Sequence, residues 1–154
     1  MIDLLQIAVF NAAYADAIDS DDLERWPSFF TAECNYRVTS IENYRAGLAA
    51  GLVWADTRDM LTDRVSALRE ANIYERHTYR HLIGIPLITE ASDSTAQART
   101  PFMVARIMHT GETDVFATGV YLDRFIRQDG QLLLSERIAV CDSSVVDTLL
   151  ALPL

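Results

Sequence analysis

Apolar residues change their spacing about halfway along this 154-residue chain. Over 2–18, Leu5, Ala8, Val9 and Ala12 recur three and four apart, which predicts an amphipathic first helix. Asp19-Ser20 then reads as the cap of a short second helix, with Asp21, Asp22 and Glu24 in a first turn where the helix dipole favours negative charge. Trp26-Pro27 ends or kinks that helix, because a residue before proline avoids helical backbone angles. Tyr36 and Val38 alternate with polar neighbours and predict a short strand over 35–39. Asp56-Thr57 caps a third helix reaching Arg69, with Met60, Leu61, Val65 and Leu68 as its buried stripe.

Beyond His77 the period becomes two. Strands are predicted over 79–90, 98–109, 114–127 and 132–141. In the second of these, Phe102, Val104 and Met108 take one face and Met103, Ala105 and Ile107 the other. Thr110 to Thr113 forms a turn, and Asp129-Gly130 is a hairpin signal because the tight turn needs positive φ. Helices first and antiparallel strands after give an α+β class, one domain over 1–154, with helices on one face of a curved antiparallel sheet. Both faces of the strands carry large apolar residues. Helices cover only one face, so a second covering partner and an oligomer are expected.

Composition narrows the partners. With 13 basic against 22 acidic residues, the formal charge is −9. Phosphate backbones repel such a chain, so neither nucleic acid nor an anionic membrane surface is an expected partner. The weakly polar run over 46–55, which holds a G-x-x-x-G at Gly47 and Gly51, is about half of the ~20 residues a bilayer crossing requires. Met1-Ile2-Asp3 has an acid where a secretion signal needs basic residues, so a cytoplasmic protein with Cys34 and Cys141 reduced is expected.

Candidate chemistry is sparse. His77 and His81 are four apart, as in a helical metal pair. Tyr79, Leu82, Ile83, Ile85 and Ile88, with Gly84 and Pro86 between them, favour a strand instead. On a strand the two side chains lie roughly 13 Å apart, too far for one ion. His109 stands alone beside a turn. Asp63-Arg64 has the charges to orient a substrate carboxylate or to form a solvated helix face. Asp123, between Tyr121 and Phe125, is either a perturbed acid able to serve as a base or a structural partner of Arg124, Arg137 or another strand arginine. No phosphate-binding glycine loop, nucleophile elbow or His/Cys cluster is present.

Four blocks carry a resemblance. They are Asp19-Ser20-Asp21-Asp22-Leu23-Glu24-Arg25-Trp26-Pro27-Ser28-Phe29-Phe30; Met60-Leu61-Thr62-Asp63-Arg64-Val65 with Arg76 and Tyr79-Arg80-His81; Gly119-Val120-Tyr121-Leu122-Asp123; and Ser135-Glu136-Arg137-Ile138-Ala139-Val140-Cys141-Asp142. In this order over nearly the whole chain, they resemble the small (β) subunits of aromatic-ring-hydroxylating dioxygenases. The resemblance implies the cystatin-like α+β cone of the nuclear-transport-factor-2 type. It also implies a large (α) subunit as partner, carrying a Rieske [2Fe–2S] cluster and a mononuclear Fe(II), commonly three large with three small subunits. A reductase would pass electrons from NAD(P)H, and the large subunit would add both atoms of O2 to an aromatic acid to give a cis-dihydrodiol. No catalytic, cofactor-binding or metal residue carries over to this chain. Its pocket or interface candidates are Arg64, Arg76, Arg80, His81, Asp123 and Arg137. A dehydratase or isomerase using His81, Asp123 and tyrosines on the same cone, or a small-molecule-binding module, stays open beside this reading.

Overall fold

A computed structural model describes residues 1–48, 51–71, 74–143 and 150–154. Helix α1 spans Leu4–Asp19, opened by a capping box in which Asp3 and Gln6 bond each other's backbone N–H. A 3₁₀ helix follows at Leu23–Phe29, then β1 (Phe30–Ser40), α2 (Ile41–Arg45), β2 (Val53–Thr57) and α3 (Arg58–Ala71). Five further strands complete the fold: β3 (His77–Ile83), β4 (Leu87–Ala91), β5 (Thr95–Met108), β6 (Thr113–Gln128) and β7 (Gln131–Cys141). The strands form one sheet in the order β2-β1-β7-β6-β5-β3, with β4 also paired to β5.

The sheet is mixed, which corrects the all-antiparallel expectation. β1 runs parallel to β7, which reaches the other side of β1 only after the chain has passed through β2 to β6. Register shifts at Glu33/Tyr36, Val104/Ala105 and Arg124/Phe125 bend it. The second of these also interrupts the alternation predicted for β5: Phe102 and Val104 are buried, whereas Ala105, Ile107 and Met108 are all half-buried. Asp129 and Gly130 adopt φ of 51° and 77°, as the predicted β6–β7 hairpin demands.

The helices differ from expectation at their ends and faces. In α1 the buried side is Ile7, Asn11, Tyr14, Ala15, Ala17 and Ile18, while Leu5 and Val9 are exposed. Counting apolar residues selected the wrong face, because Asn11 and Tyr14 have polar tips that find partners inside the protein. Asp19 is the last residue of α1 and not a cap, and the 3₁₀ helix runs through Pro27 to Phe29. The predicted 79–90 strand is two strands, divided at Gly84-Ile85-Pro86. A Cβ on Gly84 would stand 2.6 Å from the Pro101 ring, so only glycine lets the chain pass there. β1 is longer than predicted, and β2 and α2 were not anticipated. Helix α3 matches the third predicted helix, with the Thr57 Oγ accepting the Met60 N–H and with Leu61 and Val65 buried.

One apolar core lies between the helices and the inner sheet face. Edge-to-face contacts link Trp26, Phe30 and Tyr36 at 5.2–6.0 Å between centroids, and Phe102 stacks on Tyr121 at 4.4 Å. On the other face Leu82, Met103 and Val115 remain exposed. No helix among the described residues is long and apolar enough to cross a membrane.

Candidate functional site

The centre of the cone is occupied by charge. Asp123 on β6 and Arg137 on β7 are opposite one another in register, and both side chains are wholly buried. Arg137 Nε and Nη2 donate to the two Asp123 carboxylate oxygens, each at 2.8 Å. Nη2 also donates to Asn11 Oδ1 at 2.6 Å. The guanidinium plane lies against the rings of Tyr14 and Tyr121, 4.3 and 4.1 Å from their centroids. Burial pushes the Asp123 acid up, and Arg137 pulls it the other way through charge and hydrogen bonds. Arg137 itself is held above its ordinary value, because Asp123 outweighs the cost of burial. Burial likewise raises the phenols of Tyr14, Tyr36 and Tyr121, so these hydroxyls stay protonated.

Of the two arrangements weighed for Asp123, the structure shows the pairing with Arg137. A general base needs a free oxygen facing a substrate, and both of its oxygens are engaged by one guanidinium. Asp123 is a structural partner of Arg137. A second polar layer closes the same interior: Trp26 Nε1 donates to the Tyr14 hydroxyl at 3.1 Å, and Tyr14 donates to the Leu154 carbonyl at 2.8 Å. The Tyr36 hydroxyl accepts the Leu154 N–H at 3.2 Å and donates to its carbonyl at 3.1 Å.

His81 lies apart from this centre. Its backbone N–H donates to Asp19 Oδ2 at 2.8 Å, and its ring Nδ1 is 2.7 Å from Asp19 Oδ1. Arg80, exposed, approaches the same carboxylate at 3.9 Å. His77 bonds the Glu75 carbonyl through Nδ1 at 2.7 Å, and the Tyr79 ring stands between His77 and His81, 5.4 and 6.1 Å away. The two histidines therefore do not converge on one point. His109 is exposed, 3.4 Å from Glu75. Among the other candidates, Arg64 Nη2 donates to the Leu150 carbonyl at 2.9 Å, and Arg76 is exposed beside His77 and His109 in a separate groove. So the structure joins Asp123 to Arg137 and His81 with Arg80 to Asp19, and leaves Arg64 and Arg76 elsewhere.

Sequence reasoning missed Asn11, Tyr14 and Asp19. Asp19 had a signal: an acid in the last turn of a helix opposes the dipole, so it needs a partner from outside the helix.

The two cysteines are buried and free. Cys141 pairs with Ser40, six residues along β1 from Cys34, which separates the two by roughly 20 Å. Burial pushes each thiol up to about 11. Both should react with a thiol reagent at pH 8 at least a hundredfold more slowly in the native chain than in urea, since only the thiolate attacks. The folded thiols keep protons that unfolded ones release, so this stabilisation is full below about pH 9 and lost as pH rises toward 11. Equal labelling rates in the two states would contradict the burial.

Comparisons with known proteins agree with this architecture. Residues 1–138 match the model of the SnoaL-like domain. The chain is 66% identical, over all 154 residues and the whole of the relative, to subunit β 1 of the terminal oxygenase component of terephthalate 1,2-dioxygenase from Comamonas sp.. It is 37% identical to the anthranilate 1,2-dioxygenase small subunit of Burkholderia cepacia, over 97% of this chain and 92% of that one. A solved structure from Novosphingobium aromaticivorans, assigned as the β subunit of an aromatic-ring-hydroxylating dioxygenase, superposes with a TM-score of 0.90 at 38% identity, covering 98% of this chain and 96% of that one. The chain belongs to the SnoaL-like domain family and, within it, to the small (β) subunits of aromatic-ring-hydroxylating dioxygenases.

Proposed function

We propose that this chain is the structural small subunit of a terminal oxygenase that dihydroxylates terephthalate in its large subunit. Identity of 66% over the full length of both chains is the observation that carries the substrate assignment. The buried Asp123–Arg137 pair, with both carboxylate oxygens engaged, supports a non-catalytic role.

The Rieske cluster and mononuclear iron used by such oxygenases do not fit the residues here. A Rieske centre needs two cysteines and two histidines in adjoining loops, and a facial triad needs two histidines and a carboxylate. Among the described residues no three His, Cys, Asp or Glu side chains converge. Both metal centres are assigned to the large subunit, with electrons delivered from NAD(P)H by a reductase in the cytoplasm.

The small subunit then holds the large ones in register. Its exposed apolar side chains (Trp54, Leu82, Leu87, Met103 and Val115 among them) supply area for contact, at about 25 cal/mol for each Å² removed from water. Arg80 and Arg124 are exposed and suited to carboxylates on a neighbour. Light scattering of the purified chain should give a trimer, and co-expression with the large subunit should give a complex of three large and three small subunits. That complex, with its reductase, should convert terephthalate to a cis-dihydrodiol, while the isolated chain should carry no iron. A stable monomer at micromolar concentration that forms no complex, or stoichiometric iron in the isolated chain, would refute the assignment.

A further inference from the structure

A groove of about 560 Å³ opens where α1 and α3 finish, β3 starts and β5 ends. It is large enough to hold a molecule of one or two rings. Ile18, Ile107 and Leu152 give it apolar surface, and Tyr74 and His77 line it with aromatic rings. These two rings meet edge to face, with centroids 5.5 Å apart. His77 is fixed in place by its Nδ1, 2.7 Å from the Glu75 carbonyl. The polar and aromatic run from Tyr74 to His77 therefore converges on this groove, and it has no task at the Asp123–Arg137 centre.

Asp19, Asp21, Arg69 and Arg76 bring charge to the lining, and three of the four are already engaged. Asp19 holds the His81 backbone N–H at 2.8 Å and its ring Nδ1 at 2.7 Å. Arg69 donates to Asp21 Oδ1 and to the Asp21 carbonyl, each at 2.8 Å, and grips both Glu24 oxygens at 2.8 and 3.1 Å. Arg76 differs. It is exposed, and its side chain has no hydrogen bond or ion pair among the described residues. The neighbouring His109 donates its backbone N–H to the Arg76 carbonyl at 3.0 Å, and its ring lies 3.4 Å from Glu75. The guanidinium of Arg76 is thus the charged group left open, and its planar fork matches a carboxylate.

We propose that this groove binds a flat aromatic monocarboxylate, its ring against Tyr74 and His77 and its carboxylate on Arg76. Ring contact and apolar surface supply affinity, and the guanidinium supplies orientation. One open cation matches one negative charge, while a second would meet Asp19, Asp21 and Glu75. Nothing in this arrangement requires a large subunit.

The test titrates the full-length chain calorimetrically with 2-naphthoate, with the uncharged 2-naphthalenemethanol and with acetate, which has charge but no ring. 2-Naphthoate should bind one per chain, at least tenfold more tightly than either of the others. Arg76→Gln should weaken 2-naphthoate at least tenfold, leave 2-naphthalenemethanol within twofold and keep the thermal midpoint, because Arg76 holds no side-chain partner in the fold. Tyr74→Ala should weaken both ring compounds to a similar degree. Arg80→Gln, at an exposed arginine outside this groove, should change neither. 2-Naphthalenemethanol binding as tightly as 2-naphthoate, or Arg76→Gln acting no more strongly than Arg80→Gln, would overturn the proposal. So would a chain that binds none of the three probes and shields Arg76 only when a large subunit is added, which would make the groove a seam between subunits. Normal 2-naphthoate binding by a chain that assembles with no large subunit would support this site while refuting the subunit role.

Discussion

Asp123→Asn is expected to lower the stability of the chain by about 3–5 kcal/mol, because it leaves the buried Arg137 charge facing a neutral group. The loss comes from geometry as well as charge. Arg137 offers N–H donors to both carboxylate oxygens, and an asparagine must turn its own NH₂ toward one of them. At roughly 2–4 °C per kcal/mol for a domain of this size, the thermal midpoint should fall by about 6–20 °C. Circular dichroism melts of wild type and variant measure it. A double replacement, Asp123→Leu with Arg137→Met, should recover most of the loss, since apolar residues of similar volume often match a buried ion pair. Turnover per assembled complex should stay unchanged in Asp123→Asn. An unshifted midpoint, or a selective loss of turnover with normal stability, would show that Asp123 has another task.

The same pair shows how far local sequence carries. Alternation along β6 and β7 placed Asp123 among buried residues, and an arginine on a neighbouring strand was a natural partner. Which arginine depended on register, and register here depends on a shift at Arg124/Phe125 that no alternation pattern records. The hairpin at Asp129-Gly130, the third helix and the long strands were legible because each rests on a local rule: positive φ, a cap, or a period. What escaped rests on partners distant in sequence. Asn11 and Tyr14 count as poor core residues until Arg137 and Leu154 arrive from the far end of the chain. The parallel pairing of β1 with β7 joins strands about a hundred residues apart, and only the closed sheet reveals it. Asp19 and His81 are 62 residues apart, and neither predicts the other. The blocks shared with dioxygenase small subunits located several of these residues without revealing the contacts among them.

Removal of residues 150–154 should abolish cooperative folding. Leu150, Leu152 and Leu154 are all buried, and Leu154 is fully so. Each contributes about 1.5–3 kcal/mol by leaving water, so three together approach the 5–15 kcal/mol that holds an ordinary domain folded. The polar consequences add to this. The Tyr14 and Tyr36 hydroxyls lose the Leu154 backbone, and Arg64 loses the Leu150 carbonyl. The Tyr14 hydroxyl would then keep the Trp26 Nε1–H as a hydrogen-bond donor to it, inside an interior opened to water. Near-ultraviolet circular dichroism should lose its aromatic signal, while far-ultraviolet ellipticity persists in part, the signature of a compact chain without fixed packing. Graded variants separate the contributions. Leu154→Ala should cost about 2–5 kcal/mol through its cavity, and Tyr14→Phe about 1–3 kcal/mol through the unpaired Trp26 N–H. A truncated chain melting at the wild-type midpoint would mean that the cone closes without these residues, and that Arg137 and its two tyrosines suffice to fill it.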